Sequence, residues 1–515
     1  MTDLNRRHFL AAGAAATAGA MLSGPAYAAA PKDPMPAKWD ETYDVVVIGS
    51  GFAGLAAAIE AKAAGSTVAV LEKMPTYGGN SIINGGILTA TGCPQQKMHH
   101  IKDSVELLEH DILKAGNYMN DPKKVHEIAS HALSNYEWCV NELGVEFLPD
   151  AIGQEGGHSV PRYVTTKNGS GSGIVLKELE MVKKLGVPIR LRTYVDHIVR
   201  SQENEGPVLG VVVHEGYRFP KAGSGKQKAI RARKGVILCY GGFSADVKFR
   251  TFQDPKLNAT LDTTNQPGAT SELWRETSAI GCLQVQNDWI QCGPWGNPKE
   301  KGMGIGWEYN QTAAAEYGLW VNQKGKRFVN ELANRKVRAD AIMVQQQMGN
   351  KCYAICNEPN MKPLEKQRPG HLQRMLDMKI IAKYNTLDEA AKSVGIDPAT
   401  LQATVKQMDQ AVAQYKDKTE PEWGTYINHD RQPLEQGPWY IGELQPKVHH
   451  CMGGLVTDEK GRVRDVRTDK VIPHLWAAGE STGMVHGAVR LGSVAILDCL
   501  VNGRIVGEDA GKSAA

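Results

Sequence analysis

Charge of one sign is missing from this 515-residue chain: 59 Lys and Arg face 56 Asp and Glu, a formal net charge of +3. The basic residues are scattered rather than gathered into a stripe, which excludes a phosphate-backbone footprint and nucleic acid as a partner. Long hydrophobic runs are missing too. The only extended apolar stretch lies in the first thirty residues, and it is too short and alanine-rich to span a bilayer. Nine cysteines, an odd number over this length, do not make a disulfide framework. No second Cys or His pair joins Cys352 and Cys356 into a metal site, and no Cys-x-x-Cys-His is present to attach a c-type haem. What remains, 42% hydrophobic and 22% charged residues, is the composition of a globular protein with room for two or more cores.

The N-terminus carries an address. Asn5-Arg6-Arg7-His8-Phe9-Leu10 is followed by an apolar stretch from Ala11 to Gly24 and by Ala26-Tyr27-Ala28. This reads as a twin-arginine export signal over residues 1–30, cleaved near Ala28, and places the mature protein in the periplasm.

The strongest internal pattern begins at Tyr43-Asp44-Val45-Val46-Val47-Ile48, a β-branched run suited to a buried parallel strand. It breaks at Gly49-Ser50-Gly51-Phe52-Ala53-Gly54 into a small-residue helix ending near Ala64, and a second apolar run, Thr67 to Leu71, ends at Glu72-Lys73. Strand, glycine turn, helix, strand and an acid eighteen residues past Gly54 make a dinucleotide-binding βαβ unit. Glycines let the backbone meet a pyrophosphate at a helix N-terminus, and Glu72 is placed to take a ribose hydroxyl. Gly49, Gly51, Ala53, Gly54, Glu72 and Lys73 are the cofactor residues of this unit.

Helical patterns follow at Val105–Ala115 and Pro122–Leu143, and strand-like runs at Pro188–Val199, Val208–His214 and Gly235–Cys239 return to the sheet. From Gln291 to Val448 the composition shifts toward Trp, Gln, Lys and Met, with helices at Arg338–Gln347 and Pro398–Tyr415. The expected organisation is α/β: a Rossmann-like dinucleotide-binding domain formed by residues 40–290 and 449–511, with an α+β capping domain, 291–448, inserted in it. A last helix is expected at Val494–Glu508.

Near the C-terminus the chain reads His449-His450-Cys451-Met452-Gly453-Gly454, then Ala478-Gly479-Glu480-Ser481-Thr482-Gly483, then His486-Gly487-Ala488-Val489-Arg490-Leu491-Gly492. With these pieces the chain resembles the fumarate reductase and succinate dehydrogenase flavoprotein family over its whole mature length, nearest to the soluble periplasmic branch and without that branch's haem domain. The resemblance implies that Asn80, Ser81, Gly85 and Gly86 lie along the flavin, that Glu480 and His450 contact the cofactor, and that Ala495-Ile496 approach the ring at a helix start. Ile82-Ile83 stand where covalent members carry a histidine, so FAD is expected to be held noncovalently. His449 and Arg490 match the pair that grips a substrate carboxylate, and Arg335 matches the proton donor. Cys451, Met452 and His486 read as packing residues.

The chain departs from the family pattern at the second carboxylate clamp. Gly293 stands where a histidine is expected and Trp295 where a threonine is, and the downstream Thr-Glu that feeds protons to the arginine is absent. Glu308, Tyr309 and Glu316 are the candidate replacements. A dicarboxylate would bury an unpaired charge against Gly293 and Trp295 at a cost of several kcal/mol. The implied substrate is therefore an unsaturated monocarboxylate such as acrylate, methacrylate, cinnamate or urocanate, with fumarate as the alternative. The implied donor is a separate c-type cytochrome or a membrane quinol-oxidising protein, in anaerobic respiration. A ketosteroid-type dehydrogenase or a non-catalytic electron-transfer flavoprotein are the competing functions.

Overall fold

The computed structural model describes residues 35–515, so the export signal expected over 1–30 lies outside the described residues. Val45, Val46, Val47 and Ile48 are buried because the strand Glu41–Ile48 runs through the middle of the main sheet. It pairs in parallel with Val68–Leu71 on one side and with Lys226–Leu238 on the other. Val471–Ala477 and Ile189–Arg190 extend the parallel part outward. Two antiparallel strands, Thr193–Arg200 and Val208–Glu215, attach through the N-terminal half of Lys226–Leu238.

The alanine-rich composition of the helix Phe52–Ala63 has a packing reason. The last helix, Val494–Lys512, lies against it and brings Gly503, Gly507 and Gly511 onto Ala53, Ala57 and Ala61. A Cβ on Gly507 would stand 2.3 Å from the Ala57 carbonyl oxygen, so only glycine permits this approach.

Two expected elements are split. The pattern over Pro122–Leu143 forms two helices, Pro122–Ser130 and Ala132–Asn141, joined at His131. The run over Pro188–Val199 breaks at Arg192, which takes φ of +53°.

The chain leaves the main unit through Ile290–Gly293 and re-enters through Lys447–Cys451, and these two strands pair antiparallel. Between them lies a four-stranded antiparallel sheet in the order Leu319–Asn322, Cys352–Asn357, Trp439–Leu444, Ile381–Tyr384. Alternation sorts its side chains: Leu319 and Val321 join the apolar cluster under the helix Pro398–Tyr415, while Trp320 joins the cluster with Tyr309, Ile342 and Tyr440 on the other face. The nine cysteines are free thiols. Among the described residues no helix is long and apolar enough to cross a membrane.

Candidate active site

Two connected chambers run through the molecule, of about 940 and 890 Å³, with Phe52, Asn80, Ser81, Glu480 and Cys499 in the walls of both. The first begins at the glycine turn. Gly49 takes φ of +105°, and a Cβ there would stand 2.1 Å from the Cys239 carbonyl oxygen. Gly51 caps the helix Phe52–Ala63, whose first N–H, that of Phe52, donates to the Ser81 hydroxyl at 3.0 Å, and Gly51, Phe52 and Ala53 line the chamber wall. Glu72 also lines it, but its carboxylate already accepts the Ser50 hydroxyl at 2.6 Å and the Met74 N–H at 2.9 Å, so it braces the turn as well as facing a ribose. Lys73 sits at the wall, 3.2 Å from Glu272.

Two predicted cofactor residues do not reach the chambers. A Cβ on Gly54 would stand 2.0 Å from the Gly49 carbonyl oxygen, so this glycine packs the helix onto the turn. Gly86, at φ of +64°, is pressed against Thr166 and Ser170, where a Cβ would come within 2.3 Å of the Thr166 hydroxyl. Asn80, Ser81 and Gly85 do line the walls. Thr193, Tyr194, Tyr240 and Thr270 line the first chamber as well. They come from distant strands and loops, and no local pattern marks them.

The second chamber collects Arg335, His449, His450, Glu480, Arg490, Ala495 and Ile496, together with Glu155, Thr264, Trp295 and Trp307. Adjacent residues on a strand face opposite ways, yet both imidazoles line this chamber. The pairing explains it: Gln291 opposes His450 and Cys292 opposes Val448, so His449 is the extra residue of a bulge. His449 Nδ1 is 2.7 Å from the Thr264 hydroxyl, and its ring meets Trp295 edge-on at 5.1 Å. His450 Nδ1 lies 3.6 Å from Glu480, its ring abuts His486 at 5.3 Å, and its Nε2 is buried without a partner. Burial, then neighbouring arginines, hold both imidazoles well below their usual range, so both are neutral at pH 7. His486 is buried against Asp498 at 3.1 Å, outside the chamber walls.

Arg335 opens the helix Arg335–Gln347, whose cap is Asn334, and donates to Glu155 Oε2 at 2.6 Å. Its Nε and Nη1 are buried without partners, as is Nε of Arg490. Burial and the nearby Arg335 push Arg490 down to about 9. Burial raises Glu480 to about 7 even as the Cys451 N–H donates to it at 2.9 Å. Buried donors are normally satisfied, so orphaned N–H groups on two guanidiniums describe a receptor for an anion. With both imidazoles neutral, Arg335 and Arg490 outnumber Glu155 by one positive charge, which Glu480, raised to about 7, cancels only as it ionises.

The wall beside them is aromatic. Trp295 is 2% exposed and lies 5.4 Å from the Arg335 guanidinium and 6.0 Å from Trp307. Of the three candidate relay residues, Tyr309 donates its hydroxyl to the Tyr440 carbonyl at 2.7 Å inside the inserted unit, and Glu308 pairs with His371 at 2.7 Å and Arg368 at 3.6 Å. Neither faces Arg335. Its acid is Glu155, which sequence reasoning missed; the only local signal is the Gly156-Gly157 pair that follows it.

The helix starts at Phe52 and Val494, the joined chambers and the unpartnered His450 Nε2 fit an FAD laid from the glycine turn to the histidine pair. Residues 44–496 match the family model described as FAD binding domain. The chain is 37% identical to the acrylate reductase flavoprotein subunit of Shewanella woodyi, covering 97% of each. It is 32% identical to the urocanate reductase of Eggerthella lenta, covering 91% of this chain and 74% of that one. Among solved structures, the open conformation of a flavocytochrome c3 fumarate reductase aligns with TM-score 0.71 and 31% identity over 92% of this chain and 79% of that one. The chain belongs to the FAD-binding family of fumarate reductase-type flavoproteins.

Proposed function

We propose that this protein is an FAD-dependent reductase of the C=C bond of a small α,β-unsaturated monocarboxylate. The observation that carries the reading is the one positive charge by which Arg335 and Arg490 outnumber Glu155, beside a Trp295 indole that offers a second carboxylate no cation. Its resemblance to an acrylate reductase subunit and a urocanate reductase supports the same substrate class.

Bound in the two chambers, reduced FAD supplies the hydride that reaches the β-carbon. His449 and Arg490 hold the carboxylate; a charge-assisted bond of this sort is worth roughly 1.5–3 kcal/mol. Arg335 protonates the α-carbon. The neutral His449 suits the first task, because an imidazole N–H donates to a carboxylate without adding a second charge. Trp295 and Trp307 wall off water, which strengthens each of these contacts.

FAD is held noncovalently in this reading, since Ile82 and Ile83 occupy the position of the covalent histidine. Electrons arrive from a separate c-type cytochrome or a membrane quinol-oxidising donor. Export by the twin-arginine route to the periplasm, near Ala28 cleavage, fits an acid used as a terminal acceptor in anaerobic respiration. A ketosteroid-type dehydrogenase has no use for two orphaned guanidiniums in its substrate chamber, and a purely electron-transferring flavoprotein has none for either.

Binding of saturated product analogues tests the charge argument. Propionate should perturb the flavin absorbance of the oxidised protein at least tenfold more tightly than succinate; the reverse order would remove the monocarboxylate reading.

A further inference from the structure

The segment that carries Glu155 is locked in place by buried charge. Arg162 donates to both oxygens of Asp103 at 3.0 and 2.7 Å and to Asp111 at 2.5 Å, and Asp111 in turn accepts the N–H and hydroxyl of Ser159 at 2.7 and 2.5 Å. His158 Nε2 ties the same loop to the Gly492 carbonyl at 2.8 Å, two residues from Arg490. The outcome is a carboxylate pressed against backbone: a Cβ on Gly492 would stand 2.2 Å from Glu155 Oε2. Glycine at 492 is what lets Glu155 reach Arg335.

A guanidinium that gives a proton to carbon must recover it, because neutral arginine is a very strong base. Arg335 has one hydrogen-bond partner among the described side chains, and that partner is Glu155. Arg338 stands one turn along the Arg335 helix, and the partly exposed Glu316, which follows Tyr309–Ala315, donates its backbone N–H to the Gln311 carbonyl at 3.3 Å. Arg338 donates to Gln311 Oε1 at 2.8 Å and to the Glu331 carbonyl at 3.0 Å, which fixes it in this position.

We infer that Glu155 is the relay residue that returns protons to Arg335, drawing them from Glu316 and solvent past Arg338, in place of the family's Thr-Glu element that this chain lacks. The inference rests on the reductase reading above. Glu155 acts through Arg335 rather than on the substrate. In one turnover a hydride from the reduced cofactor forms a C–H bond at the β-carbon. The π pair then forms a C–H bond at the α-carbon with a proton of Arg335, whose N–H bond breaks and leaves its electron pair on nitrogen. The acid gains the two electrons that the cofactor loses. Glu155 takes a proton from the Glu316 side and passes one to Arg335, and solvent replaces the proton on Glu316.

The charges around Glu155 are suited to this. Burial opposes ionisation, but Arg335, Arg338 and Arg490 outweigh it and hold the carboxyl below its usual range, so it is empty and ready to accept. Burial and Glu155 raise Glu316 to about 8, so it carries a proton at neutrality. His158, lowered to about 4 by burial and Arg162, and Tyr163, raised by burial, are the other titratable groups facing Glu155; both are neutral across this range.

The test begins with turnover of acrylate by the wild-type holoenzyme under a reduced viologen dye. If the wild type reduces no unsaturated acid, the reductase reading falls and this inference with it. If it does, Glu155→Gln should lower kcat by about 10²–10³-fold without raising KM or the dissociation constant of propionate measured on the oxidised protein. Glu155→Asp should keep more of kcat than the amide variant and show a displaced pH profile. A Glu155→Gln enzyme within fivefold of wild-type kcat would overturn the inference alone, as would loss of propionate binding in parallel with kcat, which marks a structural role. Should the amide variant fail to retain FAD, Glu155→Asp decides: an unchanged pH profile and unchanged solvent-deuterium effect on kcat would overturn it.

Discussion

The indole of Trp295 lies over Gly293, so close that a Cβ on residue 293 would stand 2.6 Å from a ring carbon. The two departures from the family's second carboxylate clamp are therefore one change: the aromatic ring needs the glycine, and a histidine at 293 could not coexist with it. This coupling predicts non-additive mutants. Gly293→His alone should overpack the wall, costing about 1–3 kcal/mol of stability, read as a lower melting temperature of the holoenzyme. Gly293→His with Trp295→Thr should recover much of that loss and bind succinate more tightly than the wild type does. Additive losses would mean that the residues are independent.

Arg490→Met should weaken acrylate binding by roughly 10–150-fold, the equivalent of about 1.5–3 kcal/mol for one charge-assisted contact. FAD content and its reduction by dithionite should be unaffected. Measured kcat/KM and flavin occupancy check both halves.

Binding of the acid should weaken with rising pH because of Glu480. Burial raises its carboxyl from the usual range to about 7, against the lowering effects of the Cys451 N–H and Arg490. Below that value it is neutral and the chamber keeps its unmatched positive charge. Above it the carboxylate cancels that charge. Propionate affinity should be level from pH 5.5 to 6.5 and fall between pH 7 and 8.5, and Glu480→Gln should flatten the fall. A level profile in the wild type would show that Glu480 does not titrate against the chamber.

Acid precipitation should release all of the flavin into the supernatant as FAD, because Ile82 and Ile83 offer no nitrogen to alkylate. Yellow colour retained in the pellet would contradict this.

Much of the fold was legible because the sequence obeys local rules. The β-branched run at Val45, the glycine turn and the acid at Glu72 each require their neighbours, and the helices Val105–Ala115 and Pro398–Tyr415 keep the bounds that their periodicity and caps dictate. The histidine pair and the two arginines were legible through family order, and the structure brings all four to one chamber. Gly54 and Gly86 pack against backbone and side chains rather than line the chambers, because glycine serves close packing as readily as a ligand, and spacing does not separate the two. Glu155 was illegible for a different reason: its partner is 180 residues away, and the contact depends on the approach of the Gly492 backbone, which no local pattern encodes.

The central claim is one carboxylate in the substrate, not two. Its most direct measurement is anaerobic reoxidation of the dithionite-reduced protein, mixed separately with acrylate, methacrylate, cinnamate, urocanate and fumarate while flavin absorbance is followed. The account predicts rapid return of the oxidised flavin spectrum with at least one monocarboxylate and little or none with fumarate. Fast reoxidation by fumarate and none by any monocarboxylate would contradict it.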